Sequence, residues 1–535
     1  MRTLGAGEVL DANIATDTIS IGKISGSAAG AAGTFLKQDG TWATAGTVTD
    51  TTTIEDDIAL LGFKVAVNGS LAKYNLVDQT EDAFMDATGI DAVASTGETR
   101  NASNYYSGVG SGPTGGVEST YIIGGVNYAI NKFIADGSFV LASTTTLDVL
   151  IVAGGAGGND AHDGGNGGGG GGAGGFVFYK DYPLSVLTNA VVVGPGSAAG
   201  SGTGATANGT NSSFGALVAA VGGGGVAGGD NAAGTAGGSG GAGGGVSGSG
   251  GAGTTTTISG RSAIQGNAGG NSGTSPPNYG VAGGGGAETV GGGTATPPAG
   301  VQQATATAGG GGGLGYTEGD TVPNFTYISN GGAAPTTVTF PAAFQNGSTN
   351  SSYAGGGGGN SNKGGTPGPG GIGGGASGTT NAAAAQAGTA NTGGGGGSAG
   401  CNSSDVTGAA GAGGSGVVIV KSIIPAQDMV LQSNSTTADA TATKGDIVMT
   451  YTNGSGTATL NTDLTAEFSA DNGSNWTSMT LEAQGTTGSA SPHFIVSAHN
   501  VTADVSGTGM KYRIKTLNQG AAKETQIQAV SLGWS

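Results

Sequence analysis

The sequence is poor in the residues from which ordinary cores and ordinary active sites are built. Aromatic residues make up 5% and charged residues 9% of its 535 positions. That leaves few large side chains to fill an interior and few charges to solvate an unfolded chain, so neither a conventional globule nor conventional disorder follows. One cysteine, Cys401, excludes an intramolecular disulfide framework. Of the three histidines, His162, His493 and His499, the last two sit six apart without a third ligand and read as surface or packing residues, so no metal or other cofactor is expected. Only 14 prolines accompany 119 glycines, with no Gly-X-Y period, which excludes collagen. No window of about 18 apolar residues reads as a membrane span, and the first residues lack a signal-peptide run, so the chain is expected to be made and folded in a cytoplasm. Positive charge is scarce as well. With 16 Lys and Arg against 34 Asp and Glu the formal charge is −18, which argues against nucleic acid or an anionic membrane as partner.

What is abundant is glycine, and its distribution is uneven. Residues 151–420 hold 89 of the 119 glycines, about one position in three. They recur as runs, GGGGGG at 167–172, GGGG at 222–225, GGGG at 283–286, and GGGGG at 309–313, 355–359 and 393–397, separated by loops of unlike sequence. A lone run of this kind would be a flexible tether. Here the block is entered by LDVLIVAGG and left by GGSGVVIVK, two apolar ends suited to pair with each other, and its loops carry aromatic residues that a spacer does not need. The alternative is a bundle of extended three-fold helices. These rise about 3.1 Å per residue with every N–H and C=O directed outward, and only glycine lets such backbones approach closely enough to bond.

Outside the block the composition is ordinary. Residues 1–50 alternate short apolar positions with Gly, Ser and Thr and end near LKQDGTW, a turn between Leu36 and Trp42. Thr53 is placed to cap a short helix whose first turn holds Glu55, Asp56 and Asp57, with Ile54, Ile58, Leu61 and Val65 on one face. Asp78, Glu81, Asp82 and Asp86 form an acidic cluster without EF-hand spacing, read as a solvated face. Beyond Pro425, six alternating segments at 446–451, 464–470, 475–483, 493–501, 510–517 and 525–534 predict an antiparallel β-sandwich.

The recurrent glycine runs with dissimilar loops resemble the tip adhesins of T-even-type phage long tail fibres, and LKQDGTW resembles a segment recurrent in phage tail-fibre proteins. The likeness covers about half the chain. It implies a polyglycine-helix scaffold, a homotrimer, attachment to virion tail or baseplate proteins, and variable loops that touch a host cell-surface receptor. One departure is that about 110 residues follow the block here, where the adhesins end with it. SADNGSNW, Ser469 to Trp476, resembles the Asp-box hairpin, with Asn475 in place of its threonine. In that family the box is structural, which makes Asp471 and Trp476 markers of fold, with Trp476 also a candidate sugar platform.

Glycine saturation manufactures false motifs. GxGxxG should arise roughly ten times by chance in this block, so none is a nucleotide fingerprint. Ser239 in GGSGG lacks the strand-to-helix elbow of a hydrolase nucleophile. The reading is therefore a mainly β and irregular protein of four parts: an attachment region (1–50), a neck with a short helix and strands (51–146), a polyglycine II helix bundle (147–424) and a C-terminal β-sandwich (425–535). Its expected role is a phage tail-fibre protein that is not an enzyme, carried on the virion and extracellular after lysis. Recognition is expected through Tyr279, Tyr316, Phe325, Tyr327, Phe340, Phe344, Tyr353 and Trp476. The alternatives are a structural extracellular filament, which would assemble without limit, and a tailspike depolymerase, whose paired carboxylates need no local signature.

Overall fold

The computed structural model describes residues 34–36, 42–44, 61, 73–76, 78–123, 126–141, 145–161, 167–185, 187–258, 261–273, 280–305, 308–323, 337–345, 347–361, 365–402, 407–487 and 493–535. All its named elements are strands, arranged in several antiparallel sheets. The helix expected over Thr53–Val65 lies outside the described residues except at Leu61.

The two apolar ends of the glycine block do pair. The inbound strand Thr145–Val152 and the outbound strand Val417–Ile423 run antiparallel with Val152 opposite Val417 and Leu147 opposite Ser422. They form the centre of a five-stranded sheet, flanked by Phe176–Leu184 on one side and by Val126–Phe133 and then Val117–Ile123 on the other. LDVLIV, FVFY and VVIV read as unbroken apolar runs because both faces of this sheet are covered. One face packs Val149, Ile151, Val418 and Val420 against Phe139, Val191 and Phe214. The other packs Leu150, Phe178 and Ile419 against Phe340, Phe344 and Tyr353.

From this sheet the chain continues directly into glycine runs, and their hydrogen bonds have a period of three. The amides of Ala153, Ala156 and Asn159 bond the carbonyls of Gly175, Gly172 and Gly169, while those of Gly155 and Gly158 bond Gly414 and Gly411. In the run 167–175, Gly170 and Ala173 donate to Ala282 and Gly285, Gly171 and Gly174 to Gly396 and Gly393, and Gly172 and Gly175 to Gly224 and Val221. Each successive amide turns to a different neighbour and the fourth returns to the first. A β-ladder repeats every two residues, whereas these bonds repeat every three. The carbonyls of the same run accept from three further runs, among them Ala242 to Gly170 and Gly357 to Gly171. Six runs thus surround it.

That enclosure explains the six glycines. A Cβ on Gly171 would lie 2.0 Å from the carbonyl oxygen of Ala156, one on Gly170 would lie 2.1 Å from that of Gly357, and one on Gly172 would lie 2.3 Å from that of Ser239. Neighbouring backbone occupies the volume on every side. Ordering a backbone residue costs about 1–2 kcal/mol, more than the ~1 kcal/mol net of one hydrogen bond, so a single run would not stay ordered. Enclosed on all sides, Gly170, Gly171, Gly172, Ala173 and Gly175 each both donate and accept, and such close packing adds Cα–H···O contacts. A few side chains fasten one run to the next: Asn208 Oδ1 accepts from Gly225 N at 3.0 Å, Asn211 Oδ1 from Gly222 N at 2.8 Å, and Gln265 Oε1 from Val221 N at 2.9 Å.

The C-terminal strands form a second antiparallel assembly around Met449, Phe468, Tyr512 and Trp534. The segments expected as separate strands at 493–501 and 510–517 are one strand, His493–Thr516, which pairs first with Thr436–Ser455 and then with Leu464–Ser469. The ladder with Thr436–Ser455 is irregular in register near Ala442 and Gly445. Residues from before the glycine block belong to this assembly. Gln79–Asp82 pairs with Glu524–Trp534, and Phe84, Ile90 and Tyr106 join its core. The segment read as a neck is therefore divided between the two sheets.

This placement corrects the reading of the acidic cluster at two of its four residues, Asp78 and Asp86 being exposed as expected. Glu81 and Asp82 are buried, on a strand that lies between Lys73–Leu76 and Glu524–Trp534 in the sheet. Asp82 accepts from Phe84 N at 2.9 Å and from the Tyr512 hydroxyl at 3.3 Å. Glu81 accepts from Gln79 Nε2 at 2.8 Å through one oxygen, and burial pushes its carboxyl up to about 7.

Candidate binding surface

Four of the aromatic residues expected to face a receptor are interior. Phe340, Phe344, Tyr353 and Tyr316 are buried, and they cover one face of the five-stranded sheet. Phe340 lies 4.9 Å from Phe178, Tyr316 lies 5.1 Å from Phe176, and Phe344 meets Phe178 edge-on at 5.7 Å. The physical reason is the apolar sheet face, which requires a cover that the glycine runs, lacking side chains, do not provide. The cluster is fastened by Glu318, whose carboxylate accepts from Phe344 N at 2.8 Å and from the Tyr353 hydroxyl at 3.0 Å. Gln345 Nε2 donates to the same hydroxyl. Burial raises both the Glu318 carboxyl and the Tyr353 phenol, and pushes Tyr316 up to about 12. Tyr279, Phe325 and Tyr327 lie outside the described residues.

Trp476 is half-buried. The Arg513 guanidinium lies 4.1 Å from its ring centroid, and Arg513 is held in turn by Glu467 at 2.5 Å. The preceding turn is the expected hairpin. Ser469 Oγ donates to Asp471 Oδ1 at 2.8 Å and accepts from Gly473 N at 2.8 Å, and Asp471 accepts from Asn475 N at 2.8 Å and Asn475 Nδ2 at 2.7 Å. Asn475 thus supplies a side-chain donor to the aspartate, and its hydrogen bond is the leading cause that holds the Asp471 carboxyl below the usual range. His493 accepts from or donates to the Tyr105 hydroxyl at 2.7 Å, and His499 faces Asp446 at 3.6 Å. No group of three or more His, Cys, Asp or Glu suited to a metal occurs among the described residues.

The polar surface that sequence reasoning passed over lies at the far end of the block. Runs 153–161, 221–228 and 393–400 lead away from the five-stranded sheet, and 167–175, 280–287 and 408–416 lead back, as the direction of their hydrogen-bond series shows. The connections 201–205, 229–233, 246–247 and 379–384 are therefore gathered opposite the sheet. They consist of small residues, alanine and glycine among polar ones, with Ser201, Thr203, Asp230, Asn231, Ser247 and Asn381 exposed. Each is fastened to its neighbours: Asn159 Nδ2 donates to Gly204 O at 2.8 Å, Gly202 N donates to Asp160, and Asn231 N donates to Val246 O at 2.9 Å. Asn231, Ser247 and Asn381 have positive φ, near 59°, 64° and 55°, and asparagine tolerates that conformation better than most residues. Such Asn and Ser positions in a loop were the available signal.

Residues 134–333 match the family model of a glycine-rich domain, so the chain carries such a domain. No curated protein matches it.

Proposed function

We propose that this protein is a host-receptor-binding component of a phage tail fibre, acting by non-covalent recognition. The observation that supports this most is the segregation of the glycine domain. Both chain connections lie beside the five-stranded sheet, whereas short, fastened, polar loops are gathered at the other end of a block of laterally bonded backbone. Read as a polyglycine-helix bundle, the block is a stiff stand, and its amide and hydroxyl groups are suited to the hydroxyls of a cell-surface glycan. Preorganised loops lose little freedom on binding, and several weak contacts on linked copies give avidity. The buried aromatic cluster serves the stand and not the contact.

The test is binding of the full chain to intact bacterial cells and to their isolated envelope polysaccharide. Replacing 229–233 and 379–384 by Gly-Ser segments of equal length is expected to abolish binding with the melting temperature retained. Undiminished binding by that variant defeats the proposal, and release of oligosaccharide from the polysaccharide identifies a depolymerase instead.

A further inference from the structure

The two edges of the five-stranded sheet are treated differently. At one edge, Phe176–Leu184 carries the usual protections against pairing: an irregular register opposite Leu147 and Val149, the charged pair Lys180–Asp181, positive φ at Asp181, and Pro183. The other edge, Val117–Ile123, has none of these. Its seven residues pair with Val126–Phe133 in unbroken register from Val117 opposite Lys132 to Ile123 opposite Val126. It has no proline and no lysine, and it exposes Val117 (59%), Ile122 (57%) and Ile123 (49%).

The ladder fixes which groups that edge offers. A pair closed by a two-residue connection, here Ile123 and Val126, is a hydrogen-bonded one, and bonded and non-bonded pairs alternate along an antiparallel ladder. The N–H and C=O of Glu118, Thr120 and Ile122 therefore face away from Val126–Phe133. These three positions are symmetric about Thr120.

We infer that Val117–Ile123 is the docking edge for a second copy of this chain, joined antiparallel about a two-fold axis at Thr120. In that register Thr120 meets Thr120, Glu118 meets Ile122, and Val117 meets Ile123, so every outward backbone group finds a partner and the apolar ends of each strand cover those of the other. Charge permits it. Glu118 is the strand's one charged residue, its carboxylate already accepts from Gly115 N at 2.8 Å, and the two copies of Glu118 stand four residues apart along the strand, about 13 Å. That exceeds the ~8 Å screening length at physiological salt, so two chains of net charge −18 meet there without facing carboxylates.

Thr120 opposite Thr120 in a bonded pair places the Cα atoms about 5.5 Å apart, within disulfide range. The native Cys401 is buried and does not compete. Under mild oxidation, full-length Thr120→Cys should give a two-chain band on a non-reducing gel, and Val117→Cys, whose copies stand about 20 Å apart, should not. Thr120→Pro removes an outward N–H and leaves the inner ladder intact, so in sedimentation it should lose the concentration-dependent doubling of mass that the wild type shows. A single-chain band from Thr120→Cys, equal bands from both cysteine variants, or a Thr120→Pro protein that still doubles in mass overturns the inference. So does a wild type that sediments only as three chains, the order implied by the resemblance to tail-fibre adhesins.

Discussion

The amide of Gly110 donates to the carbonyl of Pro425 at 2.9 Å, and Val109 is bridged to Ala426 beside it. The chain leaves the C-terminal assembly and returns to it at neighbouring points, with the whole glycine domain between. Residues 79–108 and 426–535 share one core. A chain in which Gly110 is joined to Pro425 through a short turn should therefore fold alone. The expected result is a soluble β protein with a single cooperative melt in circular dichroism; a non-cooperative melt would show that the glycine domain is needed for this core.

Glycine substitutions should separate by position and not by residue type. Gly171→Ala puts a Cβ 2.0 Å from the Ala156 oxygen, whereas a Cβ at Gly520 meets nothing within 4 Å and needs no left-handed backbone. Gly171→Ala should destabilise the glycine domain by at least about 1–3 kcal/mol, because no flexible side chain can give way. Gly520→Ala should stay within about 0.5 kcal/mol of wild type. Thermal melts of the two variants decide it, and equal effects would contradict the packed interior.

Amide exchange tests the same interior directly. Gly170, Gly171 and Gly172 each donate to a different neighbouring run, so their protection should approach that of Val149 and Ile151 in the sheet. Exchange at random-coil rates across 167–175 is incompatible with the lateral bonding.

Tyr353→Phe should destabilise the protein without affecting the proposed recognition. It deprives the buried Glu318 carboxyl of its phenol donor, a loss of about 1–3 kcal/mol, while the exposed loops at the far end are untouched. Melting and cell binding measured on one preparation separate the two effects; loss of binding at unchanged stability would return Tyr353 to the contact surface.

The pH dependence of stability carries the signature of Glu81. Its folded carboxyl titrates at about 7 against an ordinary 4.5, so the folded state holds the proton more tightly than the unfolded one. That contribution is complete below pH 4.5 and is lost as pH rises through 7. Glu81→Gln should flatten the stability profile between those limits and raise stability at pH 8, by up to ~3 kcal/mol. An unchanged slope in chemical denaturation across this range would refute the assignment.

The sequence makes some of this legible and hides the rest for physical reasons. LIVAGG and GVVIVK announce their pairing because continuous apolar strands must be covered on both faces. Glycine runs announce close backbone approach because no other residue permits it. The role of Phe340 and Phe344 is hidden, since an aromatic residue in a loop looks the same whether it faces solvent or Phe178, and Phe178 is distant in the chain. Glu81 is hidden likewise. An acid reads as exposed until its strand is known to lie inside a sheet, here beside Glu524–Trp534. The loop end proposed for binding is hidden because its exposed polar residues are Ser, Thr, Asn and Asp, ordinary in any turn, and only the direction of each run gathers them.

A three-residue lateral repeat without side chains has one further consequence. Sliding one run past another by three positions would restore the same pattern of backbone bonds, so glycine alone cannot say which slide is the native one. That choice falls to rare fasteners such as Asn208, Asn211 and Gln265, each gripping one particular amide. In this domain the many identical residues supply cohesion, and a handful of amide side chains supply the address.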